Sequence, residues 1–342
     1  MQQGKLKWMT GLLLSLSLVL IISACGQDDN EKNDTSEDNG STDQVETFDP
    51  TKDKNNVAEY EGGEITLEEY NDFIGVMKLL YTPEYVDQLQ STPGFSDNLV
   101  KQLIAFELLG EEADEETKKE QQTISETNLE EFKSQYEVTN GEGSWNTGLK
   151  DAGIEEEDFK NFIYISNISQ EVLRKDISEK EVKAEYDRIL KDNPTQWVEA
   201  TVSHILVKTN DPGTGEEIRT EEEALEIMDE IKAKLDEGED FGALAKEYSE
   251  DEGSKNNGGT YENANINNWV EEFKLAAAAQ PIGEIGEPVK TVYGYHIIKV
   301  DNRTELSFDD VKEGLITSLV QQELQDYSTT EVSDLITGVS IP

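Results

Sequence analysis

The two histidines of the chain, His204 and His296, each lie in a short segment of mainly apolar residues. Residues 201–208 read Thr-Val-Ser-His-Ile-Leu-Val-Lys and residues 293–300 read Tyr-Gly-Tyr-His-Ile-Ile-Lys-Val, and both patterns predict buried strands. A half-buried imidazole must satisfy two ring nitrogens, one as donor and one as acceptor. We therefore expect the two histidines to satisfy each other within one small domain, either as part of a functional site or as a structural core pair.

The chain between the two strands predicts three helices. Thr220 and Glu223 form a capping box at the start of the first helix, and Asp240 is placed to cap the second. The apolar positions of the first helix are Ala224, Leu225, Met228, Ile231 and Leu235. Apolar residues from Trp269 to Ala277 predict the third helix. Strand, helices and strand then form a small unit of mixed helix and sheet.

Covalent and metal chemistry have little support in the sequence. Cys25 is the only cysteine, which excludes an intrachain disulfide and a cluster of metal-binding thiolates. Neither histidine belongs to a His-x-x-His pattern or to an acidic cluster. We therefore expect no metal site and no nucleophilic triad.

Several motifs follow one another in residues 199–303. They are Ser203 to Lys208, Gly238, Tyr248 to Asp251, Gly253-Ser254, Gly258-Gly259, Glu272-Phe273, Gly283, Pro288 to Thr291 and Gly294 to Ile298. In order and spacing, this stretch resembles a parvulin-type peptidyl-prolyl cis-trans isomerase (rotamase) domain. With its flanking segments, the full chain resembles the PrsA-type foldase lipoproteins of Gram-positive bacteria.

The resemblance implies an α+β fold, in which a parvulin-like small antiparallel sheet with surrounding helices is inserted into a mainly helical chaperone domain. It implies rotation about X–Pro bonds, against a barrier of roughly 18–20 kcal/mol, without a cofactor. The implied catalytic residues are His204, Asp251, Thr291 and His296. The implied substrate-binding residues, which line a slot for the proline ring, are Tyr261, Trp269 and Phe273.

The lip of the implied slot departs from the parvulin pattern. After Gly258-Gly259 the family usually continues Asp-Leu-Gly-Trp-Phe, whereas this chain has Thr-Tyr-Glu-Asn-Ala at residues 260–264. Tyr261 therefore replaces the leucine of the slot, and Trp269 replaces its methionine. These changes predict either a tolerated loop variation or a reshaped slot with weak catalysis or an altered preference for the residue before proline.

The N-terminus has the features of a lipoprotein signal peptide in residues 1–24. Lys5 and Lys7 precede an apolar run that ends at Ile22 and is too short for a final membrane anchor. The sequence Ile-Ser-Ala-Cys that ends at Cys25 resembles a lipobox, which implies a lipid (palmitate) on this cysteine. The alternative is an ordinary signal peptide with an incidental cysteine.

The rest of the chain divides by composition. Residues 25–56 are acidic with few large apolar side chains, which predicts a disordered tether behind the lipidated cysteine. A helical chaperone-like domain is predicted for residues 57–197 with 304–342, and it is interpreted as a scaffold or as a cradle for clients. The parvulin domain is predicted for residues 198–303. Within the helical part, the predicted elements are a hairpin at Gly62-Gly63, a helix capped by Thr66, helices at 95–110, 112–136, 155–176 and 178–191, and a helix capped by Ser307.

The formal net charge of −46 argues against nucleic acid as a partner, because like charges repel. It is typical of a saline or alkaline habitat or, alternatively, of a solvated acidic surface. The resemblance implies a foldase anchored through Cys25 to the extracellular face of the cell membrane, acting on unfolded or newly secreted proteins with X–Pro bonds. It leaves a homodimer open. The alternatives are a non-catalytic holdase with a degenerate parvulin domain and a surface adhesion lipoprotein.

Overall fold

The computed structural model describes residues 55–211 and 213–341. These residues form two compact units: the helical unit contains 55–178 and 316–341, and the sheet unit contains 179–315. The predicted signal peptide, the predicted lipidation site Cys25 and the tether up to residue 54 lie outside the described residues. Within the described ranges, no helix combines the length and the apolar character needed to cross a bilayer.

The elements follow one another in a simple order. The helical unit begins with β1 (Asn56–Tyr60), β2 (Gly63–Thr66), α1 (Leu67–Leu80), α2 (Pro83–Gln90), α3 (Phe95–Glu112), α4 (Glu115–Asn140), α5 (Ser144–Ala152) and α6 (Glu156–Asp176). The sheet unit contains α7 (Glu179–Asp192), β3 (Val198–Lys208), α8 (Glu221–Asp236), α9 (Phe241–Tyr248), β4 (Thr260–Asn265), α10 (Glu271–Ala279), β5 (Val289–Thr291) and β6 (Gly294–Glu305). The chain ends with α11 (Phe308–Thr329), which enters the helical unit at Ile316, then α12 (Glu331–Leu335) and β7 (Ile336–Val339).

The helical unit has a small antiparallel sheet of order β2-β1-β7 beside its helices. The predicted hairpin at Gly62-Gly63 joins β1 to β2, and the predicted capping box of Thr66 and Glu69 starts α1. Aromatic rings fill the core, where Trp145 is fully buried and lies 5.5 Å from the ring of Phe159. This core ties α5 to α6.

The sheet unit is built on a four-stranded antiparallel sheet of order β4-β3-β6-β5. Its two long strands, β3 and β6, carry the two histidines as predicted and lie side by side in the middle of the sheet. Helices α8 and α9 cover one face, where Ile205 and Ile297 pack on Met228. Helix α10 lies on the other face, where Phe273 packs among Val202 and its neighbours. The histidines point to this second face.

The structure corrects several local predictions. Leu225 is 37% exposed, so the buried stripe of α8 runs through Ala224, Met228, Ile231 and Leu235 without it. Helix α10 begins at Glu271 rather than at Trp269, and the predicted lip is partly a strand, β4. Asn56, which the sequence placed in the tether, is buried and starts β1. The compact units divide after residues 178 and 315, whereas the sequence predicts domain boundaries after residues 197 and 303.

Candidate active site

The two histidines meet because of the register of β3 and β6. His204 is paired with Ile298, and His296 is paired with Leu206, so the histidines are diagonal neighbours on one face of the sheet. Diagonal neighbours are within reach of long or aromatic side chains. The two Nδ1 atoms lie 3.2 Å apart, and both side chains are buried, with 3% and 4% exposure.

The other ring nitrogens extend this contact into a chain of hydrogen bonds. His296 Nε2 lies 2.9 Å from the hydroxyl of Thr291, at the end of β5, and His204 Nε2 lies 2.9 Å from a carboxylate oxygen of Asp251. An ionised carboxylate can only accept, so His204 Nε2 donates to Asp251. His204 Nδ1 is then the acceptor for His296 Nδ1–H, and Thr291 donates to His296 Nε2. With both rings neutral, each ring nitrogen in this series of hydrogen bonds acts either as a donor or as an acceptor.

Asp251 accepts two further hydrogen bonds from side chains. The hydroxyl of Ser254 donates to the same carboxylate oxygen at 2.5 Å, and the hydroxyl of Tyr261 donates at 2.9 Å. The hydrogen bond from His204, together with those from Ser254 and Tyr261, holds the pKa of Asp251 well below its ordinary value in spite of partial burial. Asp251 is therefore ionised at neutral pH and cannot donate a proton to a ligand.

The loop that carries Asp251 is fastened to β3 through the preceding residue, Glu250. The backbone N–H of Glu250 donates to the carbonyl of Leu206 at 2.8 Å, and the Glu250 carboxylate accepts the backbone N–H of Lys208 at 2.6 Å. Arg219 binds the Glu250 carboxylate through two nitrogens, at 2.5 and 2.8 Å. A bidentate pair fixes orientation as well as distance. We call the Arg219–Glu250 pair the clamp, and it positions the neighbouring Asp251.

A cavity of about 260 Å³ lies above the histidines. Its wall is aromatic: the ring of Phe273 lies 5.0 Å from that of Trp269 and 5.2 Å edge-on from each imidazole. A cavity of about 150 Å³ suffices for a benzene ring, so this one has room for a proline ring with its flanking backbone.

Tyr261 closes one side of this cavity. Its ring stacks on His204 with centroids 5.5 Å apart, while its hydroxyl reaches Asp251. Burial and the neighbouring carboxylate raise the pKa of Tyr261 to about 12, so the phenol stays protonated and keeps its hydrogen bond. The residue that replaces the slot leucine therefore belongs to the polar network as well as to the aromatic wall.

The glycine turn before β4 lets this lip approach the sheet. Gly259 has a positive φ of +78°, and a Cβ at this position would lie 2.2 Å from the carbonyl oxygen of His204. Its own carbonyl accepts the backbone N–H of His204 at 2.8 Å. Only glycine combines this φ with so close an approach, so the turn sets the distance between Tyr261 and the histidines.

The structure brings all seven predicted site residues together. Six line the cavity, namely His204, Asp251, Tyr261, Trp269, Phe273 and His296, while Thr291 lies behind His296 and contacts it. Ser254, which the sequence analysis placed in a motif but not in the site, is 1% exposed and bonds both His204 and Asp251. The signal available in the sequence was a hydroxyl residue three positions after the catalytic candidate Asp251. Across residues 55–211 and 213–341, no group of three or more His, Cys, Asp or Glu is arranged to hold a metal.

Comparisons with known proteins find similarity to a domain family and to foldase proteins. The model of the PPIC-type PPIase domain family matches residues 174–304. The foldase protein PrsA 3 of Bacillus anthracis is 36% identical over 63% of this chain and 63% of its own length, just under two thirds of either. A crystal structure of the peptidylprolyl isomerase PrsA from Bacillus anthracis is 26% identical and covers 71% of this chain and 99% of that one, with a TM-score of 0.34.

A fuller alignment comes from another relative. The foldase protein PrsA of Clostridium botulinum is 30% identical, and the alignment covers 85% of this chain and 89% of that protein. The match therefore includes the flanking segments as well as the sheet unit. The chain belongs to the PrsA family of foldase proteins and carries a parvulin-type peptidyl-prolyl cis-trans isomerase domain.

Proposed function

We propose that the cavity binds the proline ring of an unfolded protein and that the residues around it promote rotation about the preceding X–Pro bond. The observation that supports this most directly is the chain of hydrogen bonds from Thr291 through both histidines to Asp251, which lies under an aromatic wall. The uncatalysed barrier is roughly 18–20 kcal/mol. The site therefore has to bind the twisted amide more tightly than the planar one.

The aromatic wall contributes through its low polarity. A planar amide is polar because resonance moves charge from nitrogen to oxygen, and this charge separation is lost when the bond is twisted. An apolar, water-poor cavity formed by Phe273, Trp269 and Tyr261 therefore disfavours the planar form relative to the twisted one. The same rings hold the proline ring in place while the preceding carbonyl turns.

Asp251 adds a fixed negative charge beside the reacting amide. A carboxylate near the carbonyl oxygen opposes the build-up of negative charge there and so weakens amide resonance. The histidines keep this carboxylate in position without neutralising it. Burial lowers the pKa of His296 to about 3, so the His296 ring stays neutral. The proposed roles are thus Asp251 as the electrostatic group and His204, His296 and Thr291 as its support.

We further propose that the protein is lipidated at Cys25, faces the extracellular side of the cell membrane, and receives newly secreted proteins, which the helical unit holds as a monomer or as a homodimer. The sequence from Lys5 to Cys25 supports the anchor. The test is palmitate labelling and cell fractionation of the wild type and of Cys25→Ala. A variant that keeps its label and stays in the membrane fraction would overturn the proposed anchor.

The isomerase proposal is tested with a tetrapeptide that contains one X–Pro bond. Its cis–trans exchange rate is measured with the full chain and with His204→Ala and Asp251→Ala, and circular dichroism confirms that each variant is folded. We expect the wild type to accelerate exchange and both variants to lose at least about tenfold in kcat/KM, a loss of about 1.4 kcal/mol of transition-state stabilisation. Full activity in a folded Asp251→Ala variant would refute the proposed role of the carboxylate.

A holdase without catalysis is the second candidate, and the position of Tyr261 favours it. The phenol spans the cavity from the face of His204 to Asp251, where an X–Pro amide would have to enter. Tyr261→Leu removes both contacts. An inert wild type with an active Tyr261→Leu variant would show that the phenol blocks the slot, whereas an active wild type would exclude the holdase.

A further inference from the structure

A second cavity lies within the helical unit, between β2 and helices α1, α3 and α6. Its volume is about 240 Å³, which exceeds the roughly 150 Å³ that holds a benzene ring. The apolar part of its lining consists of Ile65, Phe73, Val76, Leu103, Phe162 and Ile165. The size and the lining suit one large aliphatic or aromatic side chain rather than an extended ligand.

Acidic side chains from three helices surround this apolar floor. Glu69 and Asp72 lie on α1, Glu107 on α3 and Asp158 on α6. Among the described residues, the lining includes four carboxyl groups and neither a lysine nor an arginine. We call these four residues the acidic rim. Like charges brought together at a partly buried site repel one another, so the rim favours a cationic occupant.

Three members of the acidic rim already have hydrogen-bond donors. Glu69 and Asp158 accept backbone N–H groups at the starts of α1 and α6, and Glu107 accepts the hydroxyl of Tyr60 at 2.5 Å. Asp72 differs, because within residues 55–211 and 213–341 its carboxyl group has neither a hydrogen bond nor an ion pair.

The surroundings of Asp72 make its charge unfavourable. Burial, with the nearby charges of Asp158, Glu68 and Glu69, raises the pKa of Asp72 to about 6. At neutral pH the group is nevertheless mostly ionised and lacks a counter-charge. A bound cation would supply that counter-charge, and it would relieve the repulsion among the acidic rim at the same time.

We propose that this cavity binds one large apolar side chain of an unfolded client while a lysine or arginine beside it in the same segment contacts the acidic rim. The proposal rests on the client-holding function proposed above for the helical unit. An extended segment rises about 3.3 Å per residue, so a cation one or two residues from the buried side chain reaches a rim carboxylate. The site would thus select cationic apolar segments over acidic ones.

The test uses the full chain and short dye-labelled peptides in a fluorescence anisotropy titration. The first peptide has phenylalanine between two lysines, the second has glutamates in place of the lysines, and the third has serine in place of the phenylalanine. The site variant is Asp72→Asn with Glu107→Gln. Because the whole chain is acidic, the matched control is Glu116→Gln with Glu120→Gln, which removes the same charge from exposed positions on α4.

We expect the wild type and the control variant to bind the lysine–phenylalanine peptide equally, and the site variant to bind it about tenfold more weakly. The glutamate and serine peptides should bind to all three proteins at least about tenfold more weakly than the lysine–phenylalanine peptide binds to the wild type. Equal losses in the site and control variants would overturn the proposal, because the attraction would then come from net charge alone. Tight binding of the glutamate peptide would overturn it as well.

Failure of this site and failure of the proposed function can be told apart. Suppression of aggregation of an unfolded acidic client is measured on the same proteins. If the wild type suppresses aggregation but the site variant binds the lysine–phenylalanine peptide as well as the wild type does, the cavity proposal fails and client holding stands. If the wild type neither suppresses aggregation nor binds any peptide, client holding fails together with the cavity proposal.

Discussion

His204 and His296 contact each other through their Nδ1 atoms, 3.2 Å apart, across two adjacent strands. Two Nδ1 atoms at this distance share one proton, so the tautomers of the two rings depend on each other. Because ionised Asp251 requires a donor from His204, the proton between the rings belongs to His296. The neighbouring groups thus determine which ring nitrogens carry a proton. Adding one more proton to the pair would require His204 and His296 to change their hydrogen bonds together.

The buried position of His296 predicts a pH dependence of stability. Its pKa is about 3 in the folded protein and about 6.5 in the unfolded chain. Between these values the unfolded chain binds a proton that the folded protein does not, so stability falls as pH decreases through this window. We expect the unfolding free energy of the wild type relative to His296→Gln to fall by about 1.4 kcal/mol per pH unit below pH about 6.

Urea denaturation of both proteins at several pH values measures this difference in unfolding free energy. Comparing the two proteins cancels the contributions of other titrating groups. NMR of the histidine rings gives an independent check, because the chain has only two histidines and a His204 variant assigns them. The ring of His296 should show no titration near its ordinary pKa. A titration midpoint of His296 near 6.5 would contradict its burial in the neutral form.

The glycine turn predicts unequal effects of two neighbouring substitutions. Gly259→Ala would place a Cβ 2.2 Å from the carbonyl oxygen of His204, whereas at Gly258 the nearest atom is 3.4 Å away. Both positions have positive φ, so each alanine costs about 1–2 kcal/mol of backbone strain. We expect Gly259→Ala to lose more than about 3 kcal/mol of unfolding free energy, because the clash adds to the strain. Similar thermal denaturation of the two variants would show that the turn can move away from β3.

The Arg219–Glu250 clamp predicts that a substitution of Arg219 lowers activity although this residue does not contact the substrate. Arg219→Lys keeps the charge but replaces the two-point contact with a single ammonium group, which loosens the loop that carries Asp251. We expect kcat/KM to fall about tenfold in the tetrapeptide assay, with the fold retained. Arg188→Lys is the matched control, because Arg188 forms its ion pairs on the exposed surface of α7. Equal activities of the two variants would mean that the clamp does not position Asp251.

The unfavourable charge of Asp72 predicts that its removal stabilises the protein. The folded pKa of about 6 lies above the ordinary value of 3.8, so ionisation lowers stability as pH rises through this window. Because the group is still partly exposed to solvent, we discount the shift and expect Asp72→Asn to gain about 1 kcal/mol at pH 7 to 8. The gain should vanish below pH about 4, where the carboxyl group is protonated in both states. Urea denaturation at both pH values measures it, and an equal gain at each would show that ionisation is not the cause.

Features with local signals were predictable from the sequence. The capping boxes of Thr66 and Thr220 are present as predicted, because a cap involves residues only three positions apart. The strands of the two histidines followed from their apolar runs. Their meeting followed from the need of two buried imidazoles for partners.

Features that depend on distant partners were not predictable. Strand β7 exists because it pairs with β1, and nothing in its own four residues requires a strand. Strand β4 includes Asn263 with a positive φ of 46° and forms through its pairing with β3. Helix α5 carries few apolar residues, and the burial of Trp145 among rings of other helices holds it. Ser254 joined the site for the same reason, since its two partners are brought to it by the fold.

The pairing of β1 with β7 also determines when each part of the molecule is able to fold. Ala58 of β1 pairs with Val339 of β7, so this sheet closes a loop that spans nearly the whole described chain. The sheet unit is continuous in sequence, from 179 to 315. In a chain that emerges from its N-terminus, the prolyl site can therefore assemble while the helical unit still lacks its last strand. Closing so long a loop is slow, so we expect the helical unit to mature last.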